Sequence, residues 1–219
     1  VPGGSTSNAD DNAATRGATV AFNHNEALWL ILNGEAKWDE WKMYVMNKHL
    51  YNGGIWIKTL KQIALERRVT VESLKEGFLG MDFRACPCTN NPHAKRTFND
   101  AAANYERPAK ADRSKYMFMP AAGYFGRPTL ASQQNLRLML FCGDQGFYWT
   151  SNAGVTDNKG AMAFTFQRND VSPFADNDHS RYDADMDTPS FTISLVNFDK
   201  YTGAPYLVDF SQTGKFRLR

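Results

Sequence analysis

The hydrophobic period of the amino-acid sequence changes near Asp82, and that change limits the folds open to the chain more than any other feature. Upstream, apolar residues recur at three- and four-residue spacing, as one face of an α-helix requires. Leu28, Trp29, Ile31 and Leu32 keep this spacing behind Asn23 or Asn25, either of which can cap a helix over 25–32, and Asn33-Gly34 ends it. Trp38, Trp41, Tyr44 and Val45 share one face of a second expected helix over about 39–48. Asn52-Gly53-Gly54 then reads as a turn and 55–57 as a short strand. Leu60, Ile63 and Ala64 mark a third helix over 59–67, and Thr70 caps a fourth over 71–77.

Downstream the period becomes two. Segments 116–119, 136–142, 147–150, 162–167, 191–196, 206–210 and 216–218 read as strands, with Ala163-Phe164-Thr165-Phe166-Gln167 alternating apolar and polar. Gly143-Asp144-Gln145-Gly146 and Asn158-Lys159-Gly160 are turns between them. Residues 87–115 are polar, hold three Pro, and are expected to form a long surface excursion. A helical half followed by an antiparallel half gives an α+β class. The expected organisation is one α+β domain over 19–219, helical over 19–81 and β-rich over 82–219. Residues 1–18, rich in Gly, Ser, Thr, Asn and Ala, have almost nothing to bury and are expected to be a flexible leader or linker remnant. The opening Val-Pro-Gly-Gly, with no apolar signal segment, reads as the start of a mature or trimmed chain.

Charge and composition narrow the partners. With 25 Lys and Arg against 23 Asp and Glu, scattered rather than clustered, the chain has no basic stripe for nucleic acid. No apolar run reaches about 18 residues, so no segment is expected to span a membrane. Fifteen Phe, nine Tyr and five Trp point to an aromatic-dominated core.

The residues that carry chemistry elsewhere do not assemble a motif here. His24, His49, His93 and His179 never stand at i, i+4 spacing with another ligand type, so a zinc helix motif is absent, and His49 reads as a dipole partner at a helix C-terminus. Cys86-Pro87-Cys88 lacks a second pair for tetrahedral metal and the two-residue spacer of a redox motif. One of the two can reach Cys142, which leaves an odd thiol. No Gly-x-Ser-x-Gly elbow or phosphate loop occurs. Asp82 with Arg84, and Glu35 with Asp39, are imaginable active pairs, but spacing alone gives them no role. No catalytic residue, metal ligand or cofactor is assigned. Strand alternation puts Phe147 and Trp149 on one face and Tyr148 on the other, with Trp149 expected in the core. Asp170, Asp176, Asp178, Asp183, Asp185 and Asp187 make the most acidic stretch. Asp183-x-Asp185-x-Asp187 mimics the opening of a calcium loop, yet Thr188 replaces the turn Gly and Ser194 the bidentate Glu. His179, Arg181 and Lys200 also offset its charge, so a solvated loop without tight calcium binding is expected.

The segment YMFMPAAGYFGRPTL, followed by DQGFYWTSN and AMAFTF, resembles the Fibrobacter succinogenes major paralogous domain, whose members show an LPA-G-Y strand, a G-YWSS strand and an aromatic strand. NEALWLILNGEAKWDEWKMYVMNKHLYNGGIWIK is similar to helical segments that precede that domain in fimbrillin-related surface lipoproteins of Bacteroidetes. The resemblance implies a C-type-lectin-like β half, export, and a place on the cell surface or at a fimbria. The chain departs from the pattern in the apolar insert 131–141 and in its close at 215–219, and the calcium-binding EPN and WND triplets are missing. The expected function is a non-catalytic extracellular recognition or adhesion module, with other surface or pilus subunits, or a host or glycan ligand, as partners. A carbohydrate-binding domain is the alternative, and a metal- or thiol-dependent enzyme comes third.

Overall fold

The computed structural model describes residues 21–84, 92–98, 104–126, 138–153, 160–168, 190–199 and 203–204. The first helix, α1 (His24–Asn33), starts at a capping box: the Asn23 side chain accepts the Glu26 amide, and the Glu26 carboxylate accepts the Asn23 amide. It ends where the Gly34 amide reaches the Leu30 carbonyl. Thr59 caps α2 (Leu60–Arg67) and Thr70 caps α3 (Val71–Glu76), each hydroxyl accepting a first-turn amide. These three helices fall where the sequence places them.

The expected helix over 39–48 does not form. Lys37–Trp38 is strand β1, residues 39–42 turn, and Met43–Met46 (β2) pairs with His49–Asn52 (β3) as a hairpin. Asn47 and Lys48 both take left-handed backbone conformations, as a two-residue hairpin loop with the twist of its strands requires. On the ribbon Met43 and Val45 fall on one face and Tyr44 and Met46 on the other, with a turn at each end. Gly54–Lys58 follows as β4.

The 92–98 part of the expected excursion is also more ordered than its polarity suggests, with a 3-10 turn at Pro92–Ala94 leading into β5 (Lys95–Phe98). The rest of the chain adds β6 (Tyr116–Pro120), β7 (Tyr124–Gly126), β8 (Leu138–Leu140), β9 (Gln145–Ala153), β10 (Gly160–Arg168), β11 (Phe191–Asp199) and β12 (Gly203–Ala204). Among the described residues the sheets run β1-β4-β6, β5-β11-β10-β9, β12-β7-β8 and β2-β3, every strand pairing antiparallel, with a single parallel bridge between Gly123 and Gly146. The fold is mostly β. A helical half packed on a C-type-lectin-like β half is not what the chain forms: its first half contributes β1 and β4 to a sheet completed by β6 of the second half.

One core joins both halves. Leu28 and Ile31 of α1, Trp38 of β1, Ile55 and Ile57 of β4 and Phe164 and Phe166 of β10 belong to one buried cluster. Trp38 stands edge-on to Phe166, and Phe22 edge-on to Phe164. On β9, Tyr148 faces this core. Trp149 faces the other side of the sheet, opposite Ala163, and is only 1% exposed. Both faces of β9 are thus covered, where strand alternation alone demands one. The expected strands 206–210 and 216–218, the leader 1–18 and the acidic stretch Asp170 to Asp187 lie outside the described residues.

Trp149→Ala is expected to cost about 3–5 kcal/mol, the usual range for deleting a buried aromatic. Urea unfolding followed by far-UV circular dichroism measures it. A midpoint equal to that of the wild type would place Trp149 outside the packed interior.

Candidate functional site

The part of the surface most unlike a solvated face is the β2–β3 hairpin, and its construction begins at Asp39. This carboxylate, 2% exposed, has both oxygens occupied. Oδ1 accepts the amides of Trp41 at 3.1 Å and Lys42 at 2.9 Å, which closes the 39–42 turn. Oδ2 accepts the Trp56 indole N–H at 2.9 Å and pairs with Arg107 Nε at 2.8 Å. Burying a carboxylate is costly unless it is paired and hydrogen-bonded, and here four donors, one of them the Arg107 cation, meet that condition.

The far side of the ribbon is tied to the motif segment of the second half. Ala121 is the meeting point: its carbonyl accepts the Tyr44 hydroxyl at 2.7 Å and the Gly143 amide at 2.7 Å, while its own amide donates to Gly53 O at 2.9 Å. Gly53, with φ +96°, lies so close to Gly143 that a Cβ would sit 2.4 Å from the Gly143 carbonyl oxygen. Only glycine meets both requirements. Tyr44 stacks on Tyr51 and Met46 is buried, so the inner face of the ribbon is packed apart from the exposed His49. The PAAG and DQGFYW segments that carry the resemblance contact each other here, through Gly123 N to Gln145 O at 2.7 Å and through the Tyr148 hydroxyl donating to Pro120 O.

The outer face is different. Trp41, Met43, Val45 and Leu50 are 72, 61, 69 and 65% exposed. The pairings Met43 with Asn52 and Val45 with Leu50 set Met43, Val45 and Leu50 on one side of the ribbon, and Trp41 precedes it in the 39–42 turn. Trp41, Met43, Leu50, Tyr51 and Asn52 line a shallow hollow of about 270 Å³. The arrangement offers apolar contact and a little hydrogen bonding, held on a rigid base.

The residues singled out in the sequence scatter around this face. Trp38, Trp41 and Tyr44 do not share a helical face: Trp38 is core, Trp41 is exposed, and Tyr44 lies in β2. His49 is in strand β3 beside Tyr51, not at a helix end. His93 packs edge-on to Phe78. His24 is buried, its Nδ1 3.3 Å from Phe83 O, and burial pushes its imidazole down to about 4 against smaller opposing effects of Phe83 and Asp82. Glu35 and Asp39 serve different cations, Lys58 and Arg107. Burial draws the Lys58 ammonium down, but its hydrogen bonds to Glu35 and Glu66 outweigh this and hold it above the ordinary lysine range. Asp82 and Arg84 form a two-point ion pair, and the hydrogen bond from Arg84 holds the Asp82 carboxyl well below its usual range. Cys142 is a free thiol, raised by burial. Cys86, Cys88, His179 and the aspartates from Asp170 to Asp187 lie outside the described residues. Among the described residues no three His, Cys, Asp or Glu side chains converge as metal ligands. Among the described residues no helix is long and apolar enough to cross a membrane.

The hairpin is hard to see in the sequence because Trp38, Trp41, Tyr44 and Val45 also fit one face of a helix. Its available signals were Asn47-Lys48 at a two-residue loop and alternation through Met43, Val45 and Leu50. No protein-family model, curated protein or solved structure matches the chain.

Two outcomes follow from these environments. Asp39→Asn is expected to lower stability by about 2–3 kcal/mol, because an amide presents N–H where buried donors need an acceptor. It should also speed hydrogen exchange at the Trp41 and Lys42 amides, and unchanged exchange there would remove Asp39 as the anchor. His24 gives an acid signature. Its folded value of about 4 lies below the ordinary 6.5, so the unfolded chain binds more protons between those limits. Its contribution is complete above pH 6.5 and is lost as pH falls toward 4, on the order of 3 kcal/mol. Glu26, raised by burial, acts in the opposite sense at the acid end. Urea titrations at pH 7 and pH 4 should show a smaller loss for His24→Gln than for the wild type, and equal losses would refute the assignment.

Proposed function

We propose that the chain is a non-catalytic extracellular recognition and adhesion module of a bacterial surface or fimbria-associated protein, with the outer face of the β2–β3 hairpin as its contact surface. The observation that carries this reading is the exposure of Trp41, Met43, Val45 and Leu50 together on a ribbon whose inner face and base are fixed. Scattered apolar residues are normal on a surface, but a contiguous apolar face rimmed by polar groups marks an interaction site. The resemblance of the PAAG and DQGFYW segments to a bacterial surface-protein domain supports the same reading, and with it export and attachment at the cell surface.

Aliphatic Met43, Val45 and Leu50 suit a protein partner, since apolar area drives such contacts. A second reading rests on Trp41. Its exposed ring beside Tyr51 and Asn52 has the stacking surface and the hydrogen-bonding group that a sugar ring uses. A thiol-dependent reaction gains nothing from Cys142, because a reactive thiol needs a lowered pKa and burial raises this one. Neither nucleic acid nor a membrane-spanning role enters the proposal.

Beads coated with the chain are scored for retention on a panel of immobilised surface proteins, the chain itself among them, and on a glycan array. Trp41→Ser combined with Leu50→Ser should unfold at the wild-type midpoint and lose at least tenfold in retention on proteins, as expected when hot-spot side chains are removed. A saturable sugar signal lost in the same variant would transfer the proposal to the carbohydrate reading. Retention unaltered by the variant would sink the hairpin as the contact surface.

A further inference from the structure

The start of α1 is a buried polar nest, and the segment that closes it is held by side chains rather than by a sheet. Asn23, His24, Asn25 and Glu26 are all buried. Asn23 and Asn25 both donate to the Lys75 carbonyl, at 3.0 and 2.9 Å, and the Trp29 indole donates to Gly77 O at 2.8 Å. Asn25 also donates to Asp82 and accepts the Phe83 amide at 2.8 Å, while His24 Nδ1 stands 3.3 Å from Phe83 O. We infer that the 77–84 segment is an acid-released latch: a proton taken up by His24 lifts it from the start of α1 while the sheets beneath stay paired.

An imidazolium needs water or a free anion beside it, and this nest supplies neither. Asp82 is the nearest favourable charge, but its carboxylate is already committed to Arg84 and Asn25. On α3 stand Lys75 and Glu76, the second paired with Arg84. Glu26, on α1 itself, is held by the Asn23 amide. His93, on the 3-10 turn, packs edge-on to Phe78. From β9 comes the neutral Asn152, whose side chain accepts the His24 amide at 3.0 Å. A charged His24 is therefore accommodated by letting solvent in, and its low folded value of about 4 expresses that cost.

Of the walls around His24, the latch is the one able to move. Leu28, Leu30 and Ile31 fix α1 in the core, and a continuous ladder fixes β9 to β10. Within the latch, the backbone pairing among the described residues is its own bridge between Phe78 and Met81. Leu79 at its tip takes a left-handed backbone conformation that leucine seldom adopts, and Leu79 and Met81 are exposed. Phe78 and Phe83 are buried and keep the latch shut at neutral pH. Opening uncovers them together with the Trp29 ring that stands edge-on to Phe78, so an aromatic surface is presented in acid alone. Segments with few backbone pairings open below the cost of global unfolding, which is what a latch requires.

Hydrogen exchange of the full chain at pH 7 and pH 5, corrected for intrinsic amide chemistry, tests the inference. The Phe78, Met81 and Phe83 amides should open about 20-fold more often at pH 5, the ratio set by a value near 4 when closed and 6.5 when open. Their exchange should depend little on sub-denaturing urea, while β10 and β11 amides follow global unfolding with a steep dependence. His24→Gln should cancel the acid acceleration, and Glu26→Gln, which keeps the capping box, should preserve it. An NMR titration of the wild-type imidazole needs no variant, and its midpoint should lie near 4. Latch amides with the urea dependence of β10 would overturn the inference, because the segment would then open only with the whole domain. Acceleration that survives in a folded His24→Gln, no acceleration in the wild type, or an imidazole titrating at its ordinary 6.5 would each do the same.

Discussion

The buried carboxylate of Asp39 is the interaction on which the arrangement of the first half depends. It accepts two amides of its own turn and two donors from distant parts of the chain, the Trp56 indole and the Arg107 guanidinium. A single side chain therefore ends β1, starts the hairpin, and locks both to β4 and to the 104–115 segment. Low dielectric makes such a cluster strong when every group is satisfied and costly when one is not. The backbone adds a parallel constraint, with the Asp39 amide donating to Gly54 O and the Gly53 amide to Lys42 O. Together these close the base of the ribbon before its strands begin to pair.

A second set of constraints fixes the ribbon against the other half. Ala121 offers both of its backbone groups to this junction, and Gly53 and Gly143 let two main chains approach without side chains between them. On the outer face Asn52 still ties the base by donating to Glu40 O, while Met43, Val45 and Leu50 stand exposed. Two-stranded hairpins are marginal alone in water, and this one is stable because its inner face borrows the packing of the domain beneath it.

Local chemistry was legible in the sequence, and long-range chemistry was not. The caps Asn23, Thr59 and Thr70 announce their helices because each acts within its own first turn. Strands β6, β9, β10 and β11 show through alternation or aromatic content. The 39–48 segment misled because Trp38, Trp41, Tyr44 and Val45 satisfy a helical face as well as a ribbon, while the Trp56 and Arg107 donors that stabilise the turn are remote in sequence. Strand β5 was hidden in a polar stretch since only Phe98 of its four residues is buried, and its strand character comes from pairing with β11. Asp39 drew notice as half of an imagined pair with Glu35, yet its partners proved to be an indole and a guanidinium. The sheet β1-β4-β6 crosses the boundary between the two halves, so no reading of either half alone could have proposed it.

The division between the two faces of the hairpin has a consequence for descent. Positions 43, 45 and 50 answer to whatever the face touches, and substitutions there are not filtered by folding. Asp39, Tyr44, Gly53 and Ala121 answer to the domain, and few replacements preserve their bonds. Lineages diverging from a common ancestor would therefore drift quickly at the first set and slowly at the second. A distant cousin of this chain would be recognised by the anchor beneath its ribbon, and could meet an altogether different partner with the surface above it.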